Sequence, residues 1–338
     1  MRRWLLRILL ILVVVIFIGP FLIPLPPNGV EASTLADPDG TFITVDGLST
    51  YVLEKGAKTD PPVLLLHGWG ASTFTWREQM TPLADAGYYM IAFDRPPYGL
   101  SAKTGANIPY SPAALADFTA HVMDTLKIQK AILIGQSQGG GVAGYFAVKY
   151  PARVAKLVLV SAALRTTDDP IPASNGGTGS RVSGALGLPP LVNTLLGIPS
   201  FARWAQIGIR SFVTPDFSTK ILETAYHDPN FMTAEIAAGY SKQLRVVGWD
   251  EALLNQLKGS NSAVEPITAA QISAINVPVM IAWGQDDTWV PMSVGERLHQ
   301  LLPKATYVTY PNAGHLVHEE VADAFNTDLL RFLKDEGG

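Results

Sequence analysis

The segment that most restricts how this chain can fold is the sequence GQSQG at residues 135–139. It follows an apolar run at residues 131–134 and precedes a segment with helical character. A buried strand that turns sharply into a helix accommodates only glycine at Gly135 and Gly139, because a Cβ atom there would collide with the tight backbone. The turn would leave Ser137 at the tip of the strand, with its Oγ near the positive end of the helix, as a nucleophile requires.

Partners for Ser137 can be found in two loops closer to the C-terminus. The apolar run at residues 276–283 leads into a loop with two adjacent aspartates, and the run at residues 306–310 leads into a loop that contains His315. Esterase-type triads carry the serine, the acid and the histidine in this order, and each residue follows a strand. The sequence therefore predicts that these three groups meet at one edge of a sheet.

Short apolar runs separated by helical segments indicate a mostly parallel sheet with helices on both faces. The runs lie at residues 63–66, 88–93, 131–134 and 157–160, and an alternating pair at residues 42–46 and 50–54 is typical of a leading hairpin. Strands that are apolar throughout are usually covered on both sides. Ligands of such sheets bind beyond the carboxyl ends of the strands.

Four motifs together make the chain resemble the alpha/beta-hydrolase fold superfamily from about residue 41 to the C-terminus. They are HGWG at residues 67–70, the loop at residues 94–101, the GQSQG turn, and the pair of acid and histidine loops. The resemblance implies an α/β fold with a mostly parallel eight-stranded sheet and an inserted helical cap. It divides the chain into a core at residues 41–163 and 263–338 and a cap at residues 164–262.

The resemblance narrows the choice of acid and base. The superfamily pattern W-G-x-x-D-x-x-V-P places the acid at Asp287 and leaves Asp286 as a solvated loop residue. His315 is favoured as the base because it follows a strand and a glycine. His318 is the alternative, although its position beside two glutamates is more typical of a helix surface. The expected catalytic residues are therefore Ser137, Asp287 and His315.

An oxyanion in this chemistry needs hydrogen-bond donors that are fixed in advance. The resemblance implies that the backbone N–H groups of Gln138 and Trp69 supply them. The residues expected to support these loops are His67, Gly68, Gly70, Gly135, Gly139 and Asp94. Pro97 stands where the superfamily pattern has a glycine, so the loop at residues 94–101 should be a stiffer variant.

The sequence gives no reason to expect a cofactor or a metal ion. It lacks the H-E-x-x-H pattern and contains no cysteine, which leaves no thiolate for a metal or a disulfide. The net charge is −4 and no basic motif is present, so a nucleic-acid partner is not expected.

The first 27 residues are interpreted as a transmembrane anchor or signal segment. Basic residues at positions 2, 3 and 7 precede an apolar stretch that extends to Leu25 and is interrupted by Pro20 and Pro24. Its length is near the minimum for a membrane helix, and its charge asymmetry predicts a cytoplasmic N-terminus and an extracytoplasmic domain. Residues 28–40 would be a tether. The alternatives are a protein secreted after cleavage of a signal peptide and a helix buried in the domain.

The sequence thus predicts a membrane-anchored serine hydrolase (EC 3.1) that cleaves an apolar ester or related acyl compound through an acyl-serine intermediate. Carbon–carbon bond hydrolases of the ring-cleavage-product type share the triad and the cap, and acyltransferases and perhydrolases share the same residues. A non-catalytic binding protein on the same fold is the alternative from a different class. The cap should either pack on the core or form a hydrophobic pocket, for which Trp69, Tyr240 and Trp249 are candidate lining residues.

Overall fold

The computed structural model of the chain describes residues 2–25, 28–105, 108–167, 190–259 and 267–335. Its strands are β1 (Gly40–Val45), β2 (Leu48–Lys55), β3 (Pro62–Leu66), β4 (Tyr89–Phe93), β5 (Ala131–Gln136), β6 (Val154–Val160), β7 (Val279–Gly284) and β8 (Thr306–Tyr310). Its α-helices are α1 (Arg2–Phe17), α2 (Gly19–Leu22), α3 (Arg77–Asp85), α4 (Pro112–Thr125), α5 (Gln138–Lys149), α6 (Pro190–Leu196), α7 (Pro199–Phe212), α8 (Pro215–Glu223), α9 (Ala234–Ser241), α10 (Trp249–Gly259), α11 (Ala269–Ser273), α12 (Met292–Leu301), α13 (Val317–Glu320) and α14 (Ala322–Lys334).

The eight strands form one sheet in the order β1-β2-β4-β3-β5-β6-β7-β8. The β1–β2 and β2–β4 pairs are antiparallel, and the other pairs are parallel. Helices α4, α5 and α12 pack on one face, and α3 and α14 pack on the other. Burial of each large aliphatic side chain in these layers contributes about 1.5–3 kcal/mol. The predicted mostly parallel eight-stranded sheet with helices on both faces is confirmed.

The sheet brings the ends of its parallel strands to one edge. The strands β3, β5, β7 and β8 end just before the loops that carry the predicted site residues. Strands β3, β5 and β7 are mainly apolar and largely buried, as in PVLLL of β3 and VMIAWG of β7, whereas β8 lies at the end of the sheet and is partly exposed. Polar residues therefore appear where each strand leaves the core, and neighbouring strands bring them together.

Helices α6 to α10 lie between β6 and β7, and we call residues 190–259 the inserted helices. Local sequence fixes where several of them begin. Thr214 Oγ1 accepts a hydrogen bond from the N–H of Phe217 at 3.2 Å and caps α8, and Thr233 caps α9 in the same way. The predicted bounds of a cap at residues 164–262 stay a prediction, because residues 168–189 and 260–266 lie outside the described residues.

The N-terminal prediction needs correction. The apolar segment forms α1, which has 16 residues, and a separate short helix, α2. Pro20 lies in the first turn of α2 and cannot continue a preceding helix, because it lacks an N–H group and its ring clashes with the preceding turn. A helix of 16 residues is about 24 Å long, whereas the apolar layer of a bilayer is about 30 Å thick.

Within the described ranges, no helix combines the length and the apolar character that crossing a membrane requires. The prediction of a membrane or signal anchor over residues 1–27 is therefore wrong, as are the membrane partner and the localisation derived from it. Residues 1, 26 and 27 lie outside the described residues.

The N-terminal helices contact the inserted helices. The ring of Phe17 meets that of Phe201 edge to face, with centroids 6.0 Å apart. The indole N–H of Trp204 donates to the carbonyl of Ile16 at 3.2 Å. Further along, Val30 pairs with residues 245–247 through two backbone hydrogen bonds of 2.8 and 3.0 Å. The segment predicted to be a tether is thus partly fixed to the inserted helices.

Candidate active site

Ser137 occupies a strained turn between β5 and α5. Its φ is 53° and its ψ is −120°, a conformation that a residue with a side chain adopts at a cost of about 1–3 kcal/mol. Backbone hydrogen bonds hold it there: its N–H donates to Val160 at 2.9 Å, and its carbonyl accepts from Ala163 at 2.8 Å. Ser137 is only 6% exposed. The neighbouring strand therefore imposes the geometry of the serine.

The two glycines of the turn permit close backbone approaches. A Cβ atom on Gly135 would lie 2.3 Å from the carbonyl oxygen of Gly139, and one on Gly139 would lie 2.0 Å from that of Leu66. Neither contact can be relieved by a side-chain movement, because both neighbours are backbone atoms. The space available at this turn is therefore limited to glycine at both positions.

His315 and Asp287 form a buried pair. The Nδ1 atom of His315 lies 2.9 Å from Oδ2 and 3.1 Å from Oδ1 of Asp287, and the residues are 2% and 8% exposed. Oδ1 of Asp287 also accepts the backbone N–H groups of Trp289 at 2.9 Å and Val290 at 2.8 Å. These bonds fix the carboxylate so that it faces the imidazole. The ring of Trp289 lies beside that of His315, with centroids 5.3 Å apart.

The histidine loop also contacts the nucleophile turn. The side-chain amide of Gln136, the residue before Ser137, donates to the carbonyl of His315 at 3.2 Å. Asp286 has a different environment. Its side chain is 49% exposed and lies 2.9 Å from Nδ1 of His227.

His318 is buried, and the interpretation of this residue as part of a helix surface is wrong. Its Nε2 atom lies 2.9 Å from Oγ1 of Thr75. Burial, followed by the positive charge of Arg77, lowers the pKa of His318 to about 3. The charged sequence of the short helix α13 suggested an exposed surface. Helix α3 packs against α13, however, and covers His318. His318 is thus a neutral packing residue.

The loop after β3 passes beside the nucleophile turn. A Cβ atom on Gly68 would lie 2.4 Å from Oε1 of Gln136 and 3.2 Å from Cβ of Ser137. Trp69 follows in this loop, and Gln138 begins α5. The N–H groups in the first turn of a helix have no acceptor within the helix. The start of α5 and the loop that contains Trp69 therefore both border Ser137.

His67 positions the loop that contains Trp69. Its Nε2 accepts the backbone N–H of Arg95 at 3.0 Å, so Nδ1 carries the proton and donates to the carbonyl of Gly68 at 2.8 Å. Burial, followed by the charge of Arg95, lowers the pKa of His67 well below its usual value. The ring is therefore neutral. The Arg95 guanidinium also donates to the carbonyls of His67 and Gly68.

Asp94 shapes the loop after β4. Its two carboxylate oxygens each accept a backbone N–H at 2.6 Å, one from Thr73 and one from Leu100. Burial raises the pKa of this carboxyl above its usual value. Gly99 has a φ of +54°, and a Cβ atom there would lie 1.9 Å from the Asp94 carboxylate. Gly70, also predicted as a supporting residue, has a φ of +67°.

One segment of the insertion holds both the acid loop and the histidine loop. We call residues 224–228 the strap. The backbone N–H of His315 donates to the carbonyl of Ala225 at 2.7 Å. On the acid loop, the indole N–H of Trp289 donates to Oγ1 of Thr224 at 3.0 Å. The backbone N–H of Asp228 donates to Glu320 at 2.9 Å.

A buried carboxylate, Glu319, links the strap and α9 to the core. One of its oxygens accepts the hydroxyl of Thr75 at 2.5 Å and that of Tyr240, and the other accepts the hydroxyl of Tyr226 at 2.9 Å and pairs with Arg77 at 2.8 Å. Burial, followed by the charge of Glu319, raises the pKa of both tyrosines. Sequence reasoning missed the strap and this cluster because their members are up to 244 residues apart.

A cavity of about 170 Å³ lies between the inserted helices and the edge of the sheet. Trp69, Tyr240 and Trp249 line it, as predicted, together with Gly70, Trp289 and apolar side chains of α8 and α10. Trp69 belongs to the loop beside Ser137, and Trp289 contacts His315. The cavity is therefore a mainly apolar space that borders the loops of the candidate site. No group of three potential metal ligands occurs in the part of the chain that the structure describes.

Comparisons with known proteins agree with this architecture. A sequence model of the family described as alpha/beta hydrolase fold matches residues 61–322. The chain is 30% identical to a 2-hydroxy-6-oxononadienedioate/2-hydroxy-6-oxononatrienedioate hydrolase of Burkholderia vietnamiensis, over 80% of this chain and 86% of that protein. It is 25% identical to a bifunctional esterase/perhydrolase of Acinetobacter calcoaceticus, over 87% of this chain and 99% of that protein.

A solved structure has the same fold. It is that of a meta-cleavage product hydrolase from Pseudomonas fluorescens IP01, which covers 88% of this chain and 98% of its own with a TM-score of 0.69. At 24% identity, this likeness concerns the fold alone.

Proposed function

Because the chain belongs to the alpha/beta hydrolase fold family and is thus a hydrolase of that fold, we propose that it cleaves an ester or related acyl compound through an acyl-serine intermediate. The observation that carries this proposal is the buried pair of His315 and Asp287, 2.9 Å apart, in loops that contact the strained turn at Ser137. Apolar residues would stabilise the core at least as well as this polar pair does. The pair is, however, suited to proton transfer at a serine.

In the proposed reaction, Ser137 Oγ attacks the substrate carbonyl while His315 Nε2 takes its proton. Asp287 accepts the Nδ1–H bond of His315, so that Nε2 is free to act as the base, and it stabilises the imidazolium that forms. The backbone N–H groups of Gln138 and Trp69 would stabilise the oxyanion, each by about 3 kcal/mol. The tetrahedral intermediate collapses, and the leaving group takes the proton from His315. Water then attacks the acyl group on Ser137 while His315 takes its proton, and the acid is released as Ser137 regains a proton from His315.

The cavity beside this site favours an apolar acyl group. Its walls come from both the core loops and the inserted helices, which supports the inserted helices as a cap over the site. Removal of apolar surface from water stabilises binding by roughly 25 cal/mol per Å². The cavity can thus hold an acyl chain or ring against the loops that carry Trp69 and Trp289.

Hydrolysis of a carbon–carbon bond is the second candidate. It is favoured by the relative at 30% identity, which is named as a hydrolase of 2-hydroxy-6-oxo dienedioates. The same serine, histidine and acid would serve this reaction, so the residues alone do not separate the two bonds.

The two candidates can be separated with the full chain and two substrates. Hydrolysis of a p-nitrophenyl ester should release nitrophenolate, with an initial burst equal to the enzyme concentration where release of the acyl group is the slower step. A 2-hydroxy-6-oxo dienoate should lose its absorbance only if carbon–carbon hydrolysis occurs. Ser137→Ala should abolish the activity, whereas Ser211→Ala, on the exposed surface of α7, is the matched control. Folded protein that cleaves neither compound would contradict the proposal and favour a non-catalytic binding protein.

A further inference from the structure

The cavity contains a buried lysine that the proposed chemistry does not use. Lys103 lines the cavity and is 7% exposed. Its ammonium group donates to the carbonyls of Pro97 at 2.9 Å and Gly99 at 2.5 Å. An ammonium group has three hydrogens to donate, so one remains. Among the described residues, no carboxylate lies within ion-pair distance of Lys103.

A second buried cation lies in the same loop. Arg95 is fully buried. It contacts carbonyl oxygens and the Oε1 atom of Gln138 at 3.3 Å, and its guanidinium lies 5.6 Å from the centre of the Tyr98 ring. Its Nε and Nη1 atoms have no hydrogen-bond partner in the described part of the chain. Burial lowers the pKa of Arg95 to about 10. Like Lys103, this residue carries a charge without a carboxylate in contact with it.

The surrounding groups do not cancel the two positive charges. Asp94 is the carboxylate whose charge acts on Lys103, and both of its oxygens are already bonded to backbone N–H groups. His67 is neutral. Burial outweighs the effect of Asp94 and lowers the pKa of Lys103 below its usual value. Asp94 is thus the one nearby carboxylate that acts on Lys103 among the described residues, and a further anion beside Lys103 would favour its charged form.

A hydrogen bond joins the lining of the cavity to the residue that follows Ser137. The hydroxyl of Tyr98, which lines the cavity, donates to Oε1 of Gln138 at 3.2 Å, and Gln138 follows Ser137 in the chain. Gln256 donates to the same hydroxyl. Most of the other residues that line the cavity are apolar. Lys103 thus shares the cavity with Trp69, whose loop borders Ser137, and with Trp289, whose ring lies beside that of His315.

We propose that the cavity takes an acyl substrate that ends in a carboxylate, and that Lys103 pairs with this carboxylate. The inference rests on the proposed function, because it concerns the acyl side of the same reaction. A carboxylate in this place would take the free hydrogen of the ammonium group and neutralise the excess positive charge. Lys103 would thus determine specificity and take no part in the transfer of the acyl group.

The test compares two esters that differ only in the end of the acyl chain: the mono-p-nitrophenyl ester of glutaric acid and p-nitrophenyl pentanoate. We expect the wild-type protein to have a lower KM for the charged ester. Lys103→Met keeps the length of the side chain without its charge. It should reduce the preference, expressed as the ratio of the two kcat/KM values, by about 10- to 100-fold, as expected for a hydrogen bond to a charged group. Lys103→Arg should retain most of the preference.

A lysine that merely stabilises its own loop would give a different result. Lys103→Met would then lower both kcat/KM values by the same factor, and this outcome would overturn the inference. Lys304→Met, at an exposed position before β8, is the matched control and should leave the ratio unchanged. If Lys103→Met does not fold, the KM values of the wild-type protein alone test the inference. Equal KM values for the two esters would contradict it. Failure to cleave either ester would instead count against the proposed function.

Discussion

The nucleophile turn and the loops of the acid and base are held in different ways. Ser137 is fixed by the ends of β5 and β6 and by two glycines within two residues of it. The loops of Asp287 and His315 depend on the strap, which belongs to the insertion between β6 and β7. A local motif thus specifies the first region, whereas contacts between distant segments complete the second. Substitutions can therefore perturb one region while the other stays in place.

The largest effect is expected at the acid. Asp287→Asn removes the charge that stabilises the His315 imidazolium and favours the wrong tautomer, so kcat should fall by about 10³- to 10⁴-fold. Ester hydrolysis under saturating substrate measures this loss. Asp286→Asn is the matched control, because Asp286 is exposed and pairs with His227, and it should change kcat less than about threefold. Equal losses in the two variants would contradict the assignment of the acid.

A second effect should appear when the link between the strap and the core is weakened. Glu319→Gln removes the buried one of the two carboxylates that pair with Arg77, since Glu78 lies 3.4 Å away at the surface, and should lower the free energy of unfolding by about 3 kcal/mol. Tyr226→Phe removes one hydrogen bond to the same carboxylate and should cost about 1 kcal/mol. Urea unfolding measures both values. A loss below about 0.5 kcal/mol for Glu319→Gln would mean that the strap is held without this cluster.

The sequence specifies these two regions unequally. The turn at Ser137 and the strand ends before Asp287 and His315 follow from apolar runs and glycines that are adjacent in the chain, so they could be predicted. The strap could not, because the bond from His315 to Ala225 joins backbone atoms and leaves no pattern in the residue types. His318 was misread because its burial depends on α3, far away in the chain.

At the N-terminal segment a clear sequence pattern led to a wrong prediction. Its composition agreed with a membrane anchor, but Gly19 and Pro20 divide it into two helices. Hydropathy averaged over the segment cannot register where a helix ends.

A smaller effect is expected from the pH dependence of stability. Folding holds the pKa of His318 near 3, whereas in the unfolded chain the residue takes up a proton below a pKa of about 6.5. The unfolded state therefore binds more protons between these values, and stability must fall as the pH decreases through this range. His318 should contribute a loss of about 2 kcal/mol at pH 5.

Urea unfolding at pH 7.5 and pH 5, for the wild type and for His318→Gln, isolates this contribution. The variant should lose less stability between the two pH values than the wild type does. An identical pH dependence for both proteins would show that His318 is not held neutral.

The smallest effect is expected at the exposed contact between His227 of the strap and Asp286 of the acid loop. His227 and Asp286 are 42% and 49% exposed in their side chains, and such pairs contribute about 0–1 kcal/mol. His227→Ala should therefore leave kcat within about threefold of the wild type, as measured with the same ester. A large loss would mean that the strap is held mainly from the surface and that Glu319 has a minor part.

The central claim is that Ser137 is an activated nucleophile, and intact-mass analysis after treatment with a fluorophosphonate tests it most directly. The wild-type chain should gain the mass of one phosphonyl group. His315→Ala should react at least about 10²-fold more slowly because the serine has lost its base, and Ser137→Ala should gain no mass. An adduct that persists in Ser137→Ala, or no adduct on folded wild-type protein, would contradict the claim.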